Sequence, residues 1–198
     1  MQSKAIKLNT ASPFTWASGI KSPIYCDNRV TLSYPDVRKG IRDAFVEKIK
    51  SIYAEYDVIA GVATGAIAQG ALVAEVLNKP FVYVRSSPKG HGLENLIEGK
   101  IEKGQRVIVI EDLVSTGGSS LKAVEALRIE GCEVLGMMAI FTYGFDMARV
   151  NFEKLNCRLD TLSNYEVLID IALAENYINV GQLDTLKRWR IAPEKWML

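Results

Sequence analysis

Residues 107–120 read VIVIEDLVSTGGSS. Four apolar residues predict a buried strand, the carboxylates Glu111 and Asp112 follow at its carboxyl end, and a Ser/Thr/Gly run leads into a helix. In an open α/β sheet, ligands bind just beyond the carboxyl ends of the strands. The segment therefore indicates both a fold class and a binding site.

The run from Ser115 through Thr116, Gly117 and Gly118 to Ser119 has the composition of an anion-binding loop. Glycines let the backbone approach a bound group, and the free N–H groups of the loop and helix start point at it. Acidic residues would repel a lone phosphate, so the ligand should also present hydroxyls or bring Mg²⁺. Ribose 5-phosphate derivatives have both features. Helix capping alone would explain the serines and glycines, but not two carboxylates ending a buried strand.

Similar apolar runs at 58–62, 81–84 and 134–141 predict further strands. They are continuous rather than alternating, which is typical of parallel strands covered on both faces. Helices are predicted between them at 66–78 and at 119–130, the latter ended by Gly131. Alternating strands and helices indicate an α/β fold with a central, mostly parallel sheet.

The flanking regions are less regular. Residues 1–32 are polar and predicted to be irregular, and a helix follows with Ser33 as N-cap and Pro35 in the first turn. Its apolar stripe continues to Ile52.

Beyond residue 145 the pattern predicts a helix at 146–155, a strand at 159–162, and helices at 165–175 and 179–188. The aromatic residues near the C-terminus are predicted to pin the tail onto the core or onto a partner subunit. No linker divides the chain, so residues 1–198 are expected to form a single domain.

Composition excludes several classes of protein. The 198 residues include 24 Lys+Arg, 23 Asp+Glu and one histidine, so a nucleic-acid binder and a metal cluster with several His ligands are both disfavoured. Apolar stretches are too short for a membrane span, and no signal peptide is recognisable. Three cysteines without a CxxC pattern suggest reduced thiols. These features predict a soluble, cytoplasmic protein without membrane contact.

Residues 84–95 carry Arg85, Lys89 and His91 on a polar segment with flanking glycines. Three cationic or donor side chains on a flexible loop suit a diphosphate leaving group, because they neutralise its developing charge and exclude water. Taken alone, the segment would be read as a solvated surface loop.

Two further segments are candidates for ligand contacts. Residues 13–29 could cover a flat, anionic base by stacking from Tyr25 and hydrogen bonds from Lys21, or could be a structural arm. Residues 61–66 end one strand and open a helix, which suits a diphosphate held by backbone N–H groups around Thr64 and Gly65. The spacing from Gly65 to Gly70 matches a nucleotide-binding P-loop, but Ala71 stands where lysine is required.

Residues 107–120 resemble the phosphoribosyl pyrophosphate motif of type I phosphoribosyltransferases. Residues 84–95 and 13–29 resemble the catalytic loop, with its Lys-x-His-Gly pattern, and the N-terminal signature of the orotate phosphoribosyltransferases. Ser86 stands where some members of that family have a further lysine. A lysine that some members carry in the 61–66 loop is likewise absent. The resemblance also leads us to expect a helix before Met1.

The resemblance implies a type I phosphoribosyltransferase fold in which hood elements at about 1–32 and 145–198 cover the base site. It implies transfer of ribose 5-phosphate from phosphoribosyl pyrophosphate to orotate, Mg²⁺ carried by the substrate with Asp112 as candidate contact, and a homodimer that shares its catalytic loop. Catalytic roles would fall to Lys89, His91 and Asp112, and orotate binding to Ser115, Tyr25 and Lys21. The implied phosphoribosyl pyrophosphate contacts are Arg85, Lys89, His91, Glu111, Asp112, Leu113, Val114, Ser115, Thr116, Gly117, Gly118 and Ser119.

Two alternatives stay open. One is a purine phosphoribosyltransferase with a different base pocket. The other is a regulator that senses phosphoribosyl pyrophosphate without catalysis, although the sequence shows neither a basic patch nor a helix-turn-helix.

Overall fold

The computed structural model describes residues 4–16, 19–87 and 96–196. The predictions that concern Lys89 and His91 therefore lie outside the described residues. Within these ranges, no helix combines the length and the apolar composition needed to cross a membrane.

In the described part of the chain, ten strands form one large and two small sheets. Their bounds are β1 Ile6–Leu8, β2 Phe14–Thr15, β3 Lys21–Ser22, β4 Ile24–Cys26, β5 Val58–Val62, β6 Phe81–Val84, β7 Ile97–Glu98, β8 Arg106–Val114, β9 Glu133–Thr142 and β10 Leu159–Asn164. The large sheet has the order β10-β9-β8-β5-β6-β7. All its neighbours are parallel except β6 and β7, which confirms the predicted mostly parallel sheet.

Helices cover both faces of this sheet. Their bounds are α1 Pro35–Ile52, α2 Ile67–Leu77, α3 Gly118–Ile129, α4 Asp146–Lys154, α5 Tyr165–Ala174 and α6 Val180–Ile191, with 3₁₀ helices at Asn28–Ser33 and Pro193–Lys195. Side chains of β5 alternate between the two layers. Val58 and Ala60 pack with α3 and α4, whereas Ile59 packs with α1 and α2. This two-sided burial explains why the strands read as continuous apolar runs.

The N-terminal region differs from the prediction. Residues 1–32 were expected to be irregular, but β1 pairs with β4 and β2 pairs with β3, both antiparallel. Strands of two or three residues are too short to produce a visible alternation. The predicted N-cap is also wrong, because Ser33 ends the 3₁₀ helix and Tyr34 is the cap residue of α1, without a side-chain hydrogen bond. Pro35 does occupy the first turn.

Strand β8 is longer than predicted. Glu111 and Asp112 were expected to follow the strand, yet they lie within it, because pairing with β9 continues from Glu111↔Ala139 to Val114↔Thr142. The edge strand β7 was not predicted, and α6 continues three residues beyond the expected end at 188. The remaining helices and strands lie within two residues of their predicted bounds.

An aromatic cluster joins the two ends of the described chain. Trp189 of α6 is fully buried, and its ring centroid lies 5.7 Å from that of Trp16 and 5.4 Å from that of Tyr165. Its Nε1 donates a hydrogen bond to the Lys21 carbonyl at 3.0 Å. The prediction that C-terminal aromatic residues hold the tail onto the core is therefore confirmed.

Replacing this tryptophan should destabilise the whole protein. We expect Trp189→Ala to lower the free energy of unfolding by about 3–5 kcal/mol, because it leaves a large cavity and removes the hydrogen bond to Lys21. Urea unfolding followed by circular dichroism measures the change. Ile191→Ala is the matched control on the same helix, since Ile191 is 81% exposed and should cost less than about 0.5 kcal/mol. Equal stability of the two variants would contradict the role assigned to the cluster.

Candidate active site

The loop between β8 and α3 has the geometry of an anion site. Gly117 is the N-cap of α3 with φ +83°, and a Cβ there would lie 2.8 Å from the Phe152 ring. A larger residue would therefore be both strained and obstructed. The first turn of α3 presents its free N–H groups beside Gly118 and Ser119, which are exposed.

Neighbouring contacts hold this loop in place. Asn151 Nδ2 donates to the Thr116 carbonyl at 3.0 Å, and Thr142 Oγ1 donates to the Val114 carbonyl at 3.1 Å. Of the other predicted contacts, Val114 is fully buried and Leu113 packs against the aromatic cluster. These two residues can offer a ligand only their backbone.

Glu111 points into the protein. It is 5% exposed, its Oε2 accepts a hydrogen bond from Ser120 Oγ at 2.8 Å, and its Oε1 accepts one from the Asp112 N–H at 2.8 Å. Burial raises the pKa of this carboxyl to about 8, with a further rise from Asp112 and an opposing contribution from the Ser120 hydrogen bond. Both oxygens are thus already engaged, and Glu111 would have to release one partner to bind a ribose hydroxyl.

Asp112 is partly exposed, and its carboxyl group lies close enough to that of Glu111 to contribute to the raised pKa of Glu111. Its carboxylate lies against the loop between β5 and α2, where a Cβ on Gly65 would overlap it. Its carbonyl oxygen accepts a hydrogen bond from Asn28 Nδ2 at 2.6 Å. Glycine at position 65 is therefore what allows this loop to approach the Asp112 side chain, and Asp112 is the more exposed of the two acidic residues of the motif.

Arg85 lies where β6 ends, on the same edge of the sheet. Its N–H donates to the Leu96 carbonyl at 2.8 Å, and its Nη1 lies 3.5 Å from Glu98 Oε1. The sheet therefore places Arg85, the loop with Gly65, and Asp112 at the carboxyl ends of three adjacent parallel strands. Lys89 and His91, predicted on the same loop, lie outside the described residues.

The predicted orotate contacts are less closely grouped. Lys21 Nζ donates to Thr15 Oγ1 at 2.8 Å, and the Tyr25 ring centroid lies 5.7 Å from that of Phe14. A cavity of about 490 Å³ lies beside the β8–α3 loop. It is lined by Trp16, Ile20, Ser115, Thr116, Gly144, Phe145, Asp146, Met147, Arg190, Ile191, Ala192, Pro193, Glu194 and Lys195. Ser115 is thus in the cavity wall, whereas Lys21 and Tyr25 are not among the residues that line it.

Sequence reasoning missed three contributors to this site. Ser120 fixes Glu111, Asn28 fixes the Asp112 backbone, and Glu98 accompanies Arg85. Ser120 was visible as a hydroxyl beside the motif. No local pattern could have paired Asn28 with a strand 84 residues away.

The donor set suits a magnesium ion that arrives with a substrate. Within the residues that the structure describes, no group of three or more His, Cys, Asp or Glu could hold a metal ion. Mg²⁺ is commonly bound by one or two carboxylates together with substrate phosphates and water. The partly exposed Asp112 carboxylate fits that pattern.

Comparison with known proteins gives a consistent result. The sequence model of the phosphoribosyl transferase domain matches residues 32–176. A Porphyromonas gingivalis protein named orotate phosphoribosyltransferase is 58% identical over 193 residues, which are 98% of this chain and 92% of that protein. The crystal structure of orotate phosphoribosyltransferase from Aeropyrum pernix is similar with a TM-score of 0.78 and 29% identity, covering 90% of this chain and 96% of that one. A Mycobacterium tuberculosis orotate phosphoribosyltransferase in complex with 5-phospho-alpha-D-ribosyl 1-diphosphate has a TM-score of 0.65 at 25% identity, over 82% of this chain and 90% of that one.

The burial of Glu111 should be measurable as a pH dependence of stability. Its carboxyl keeps its proton in the folded protein up to about pH 8, but loses it near its ordinary pKa of 4.5 when unfolded. The folded state therefore binds more protons in this window, and its stability falls as the pH rises from about 4.5 to about 8. Glu111→Gln cannot ionise, so its stability relative to wild type should rise between pH 5 and pH 9.

Urea midpoints in magnesium-free buffer at pH 5, 7 and 9 provide this test. Glu125→Gln, at an exposed position on α3, is the control and should follow the wild-type pH dependence. A constant difference between Glu111→Gln and wild type across the three pH values would show that Glu111 is ionised throughout.

Proposed function

This chain belongs to the phosphoribosyl transferase domain family, and from that membership we propose that it catalyses the orotate phosphoribosyltransferase reaction. Ribose 5-phosphate passes from phosphoribosyl pyrophosphate to orotate, giving orotidine 5′-monophosphate and diphosphate in UMP synthesis. The observation that carries this proposal is the Asp112 carboxylate, which lies between a phosphate-type loop and the Gly65 loop at one edge of the sheet.

The β8–α3 loop would bind the 5′-phosphate. Backbone N–H groups from Ser115 to Ser119 and the N-terminus of α3 supply donors and a favourable dipole without a formal charge. The hydroxyls of Ser115 and Thr116 add donors on the cavity side. The ribose then extends from this loop toward Asp112.

Asp112 would bind the ribose hydroxyls and face the positive charge that develops on the ring. Displacement at the anomeric carbon passes through a cationic state and needs no protein nucleophile, so fixed charges are sufficient. Glu111 would help to fix the position of Asp112, because Glu111 Oε1 accepts a hydrogen bond from the Asp112 backbone N–H. A preorganised carboxylate avoids reorganisation during the reaction.

The departing diphosphate would be met by Arg85, Lys89, His91 and backbone N–H groups of the 61–66 loop. Arg85 and the 61–66 loop lie at the carboxyl ends of β6 and β5, next to Asp112. Lys89 and His91 follow Arg85 in the sequence. Charge would thus be neutralised on the leaving-group side of the anomeric carbon. When bound with the diphosphate, Mg²⁺ would supply Lewis-acid neutralisation of its oxygens, with Asp112 as the candidate protein contact.

Orotate would bind on the opposite side of the ribose, with Ser115, Tyr25 and Lys21 as proposed contacts. Tyr25 is partly exposed and offers a ring for stacking, and Lys21 offers a cation for the carboxylate. The N-terminal strands and the helices after residue 145 would form a hood over this base, as parts of a single domain. The shared aromatic cluster supports that arrangement, because it packs Trp16 against Trp189.

We further propose a cytoplasmic homodimer in which the catalytic loop serves the partner's site. The loop retains its cationic side chains, while the 61–66 loop lacks the lysine found in part of the family. Cytoplasmic location is supported by three cysteines that are free within the structure.

A substrate panel tests the function directly. We expect turnover with orotate and phosphoribosyl pyrophosphate, and at least about a hundredfold lower kcat/KM with adenine, hypoxanthine or xanthine, because the site must pair the orotate carboxylate with a cation. Release of diphosphate measures each rate. Preference for a purine would identify a purine phosphoribosyltransferase. Binding of phosphoribosyl pyrophosphate without turnover on any base would identify a sensor.

The ribose assignment is tested by Asp112→Asn. We expect this variant to lose use of phosphoribosyl pyrophosphate, with kcat/KM lower by about a hundredfold or more, because a neutral amide cannot stabilise the cationic ribose. Asp43→Asn, at an exposed carboxylate on α1, should keep wild-type kinetics. Wild-type kinetics of Asp112→Asn would remove Asp112 from the ribose site.

A further inference from the structure

The hairpin of β6 and β7 carries an ion pair at the end that opens toward the active site. Its register pairs Tyr83 with Glu98 and Val84 with Ile97, and the Arg85 N–H continues it by bonding the Leu96 carbonyl. Arg85 and Glu98 are therefore diagonal neighbours on the same face, within reach of long side chains. Arg85 Nη1 lies 3.5 Å from Glu98 Oε1, and each side chain is only about a quarter exposed.

This contact neutralises Arg85 without satisfying its hydrogen-bonding capacity. The Nη1 atom is buried and has no hydrogen-bond partner among the residues that the structure describes, since a separation of 3.5 Å is longer than a good N–H···O bond. A buried guanidinium donor without an acceptor is costly, and an anionic oxygen placed beside it gains a charge-assisted bond. The arrangement holds the charge in place, and another anion would reach the guanidinium through the quarter of the side chain that stays exposed.

We propose that Glu98 is a positioning residue that acts through Arg85. It holds the guanidinium at the carboxyl end of β6 when no diphosphate is bound, and it competes with diphosphate for that guanidinium when the ligand is present. This inference rests on the proposed function, in which Arg85 contacts the diphosphate.

Competition between Glu98 and diphosphate for Arg85 predicts a measurable decrease in diphosphate affinity. A carboxylate beside the same cation lowers the affinity for a second anion by repulsion and by sharing the guanidinium. Glu98 therefore weakens the binding of product diphosphate and of the diphosphate group of phosphoribosyl pyrophosphate. Orotate lies on the other side of the ribose and should be unaffected. Replacing a residue that only stabilised the hairpin would not change the affinity for phosphoribosyl pyrophosphate while leaving the affinity for orotate unchanged.

The test uses Glu98→Gln in the full chain. We expect the inhibition constant of diphosphate, and the KM for phosphoribosyl pyrophosphate, to fall by about threefold to tenfold, with an unchanged KM for orotate. Titration calorimetry with magnesium diphosphate should give the same ratio of dissociation constants. Glu102→Gln is the matched control, because it removes the same charge from an exposed carboxylate paired with Lys100.

A double-mutant cycle tests whether Glu98 changes diphosphate affinity through Arg85. In an Arg85→Gln background, Glu98→Gln should change diphosphate affinity by less than about twofold. An equal gain in both backgrounds, or no gain in the wild-type background, would overturn the proposal. If Glu98→Gln does not fold, Glu98→Asp shortens the side chain and should tighten diphosphate binding in the same direction. Failure of the wild-type protein to bind diphosphate or use phosphoribosyl pyrophosphate would instead count against the proposed function.

Discussion

The pairing of β8 with β5 on one side and with β9 on the other is the constraint on which the site depends. Because these strands are parallel, their carboxyl ends meet at one edge, and each loop that leaves this edge contributes a different part of the site. The long ladder between β8 and β9 carries Glu111 and Asp112 within the strand. The Glu111 carboxylate is buried against Ser120, whereas the Asp112 carboxylate is partly exposed and lies against Gly65. The two adjacent acidic residues thereby acquire different environments, and burial raises the pKa of Glu111.

A near-zero net charge is compatible with a highly anionic ligand when a few cationic side chains lie at the binding site. A surplus of cations over the whole chain is then unnecessary. Under the proposed function, backbone N–H groups at the start of α3 would bind phosphate without changing the formal charge of +1. Where a cation is used, as at Arg85, the free protein holds a carboxylate beside it. Such pairing limits the exposed positive charge of the empty site, and this limits non-specific attraction of polyanions. The balanced composition is therefore consistent with selective recognition of a small ligand.

Much of this architecture could be predicted from the sequence because its signals are local. Runs such as 58–62 and 81–84 gave strands with the observed bounds, and Gly117 marked a position where only glycine fits. The remaining features depend on contacts between distant segments. Glu111 and Asp112 extend β8 only because β9 continues beside them, and β1 to β4 are too short to show alternation. Similarly, Glu98 looked like an ordinary charge until the antiparallel register of a two-residue strand placed it near Arg85.

The segments proposed to bind the base and the ribose are connected by side-chain contacts rather than by the large sheet. Asn28, just after β4, bonds the Asp112 carbonyl, and the Trp16 Nε1 donates to the Ile24 carbonyl at 3.2 Å. Trp189 then fixes Lys21 through its carbonyl oxygen. Because the described residues of the N-terminal segment share no strand pairing with the large sheet, these bonds and the aromatic cluster set the distance between Tyr25 and Asp112. In the proposed reaction, a displacement at the anomeric carbon would be sensitive to that distance, so α6 would influence the rate although it lies outside the matched residues 32–176.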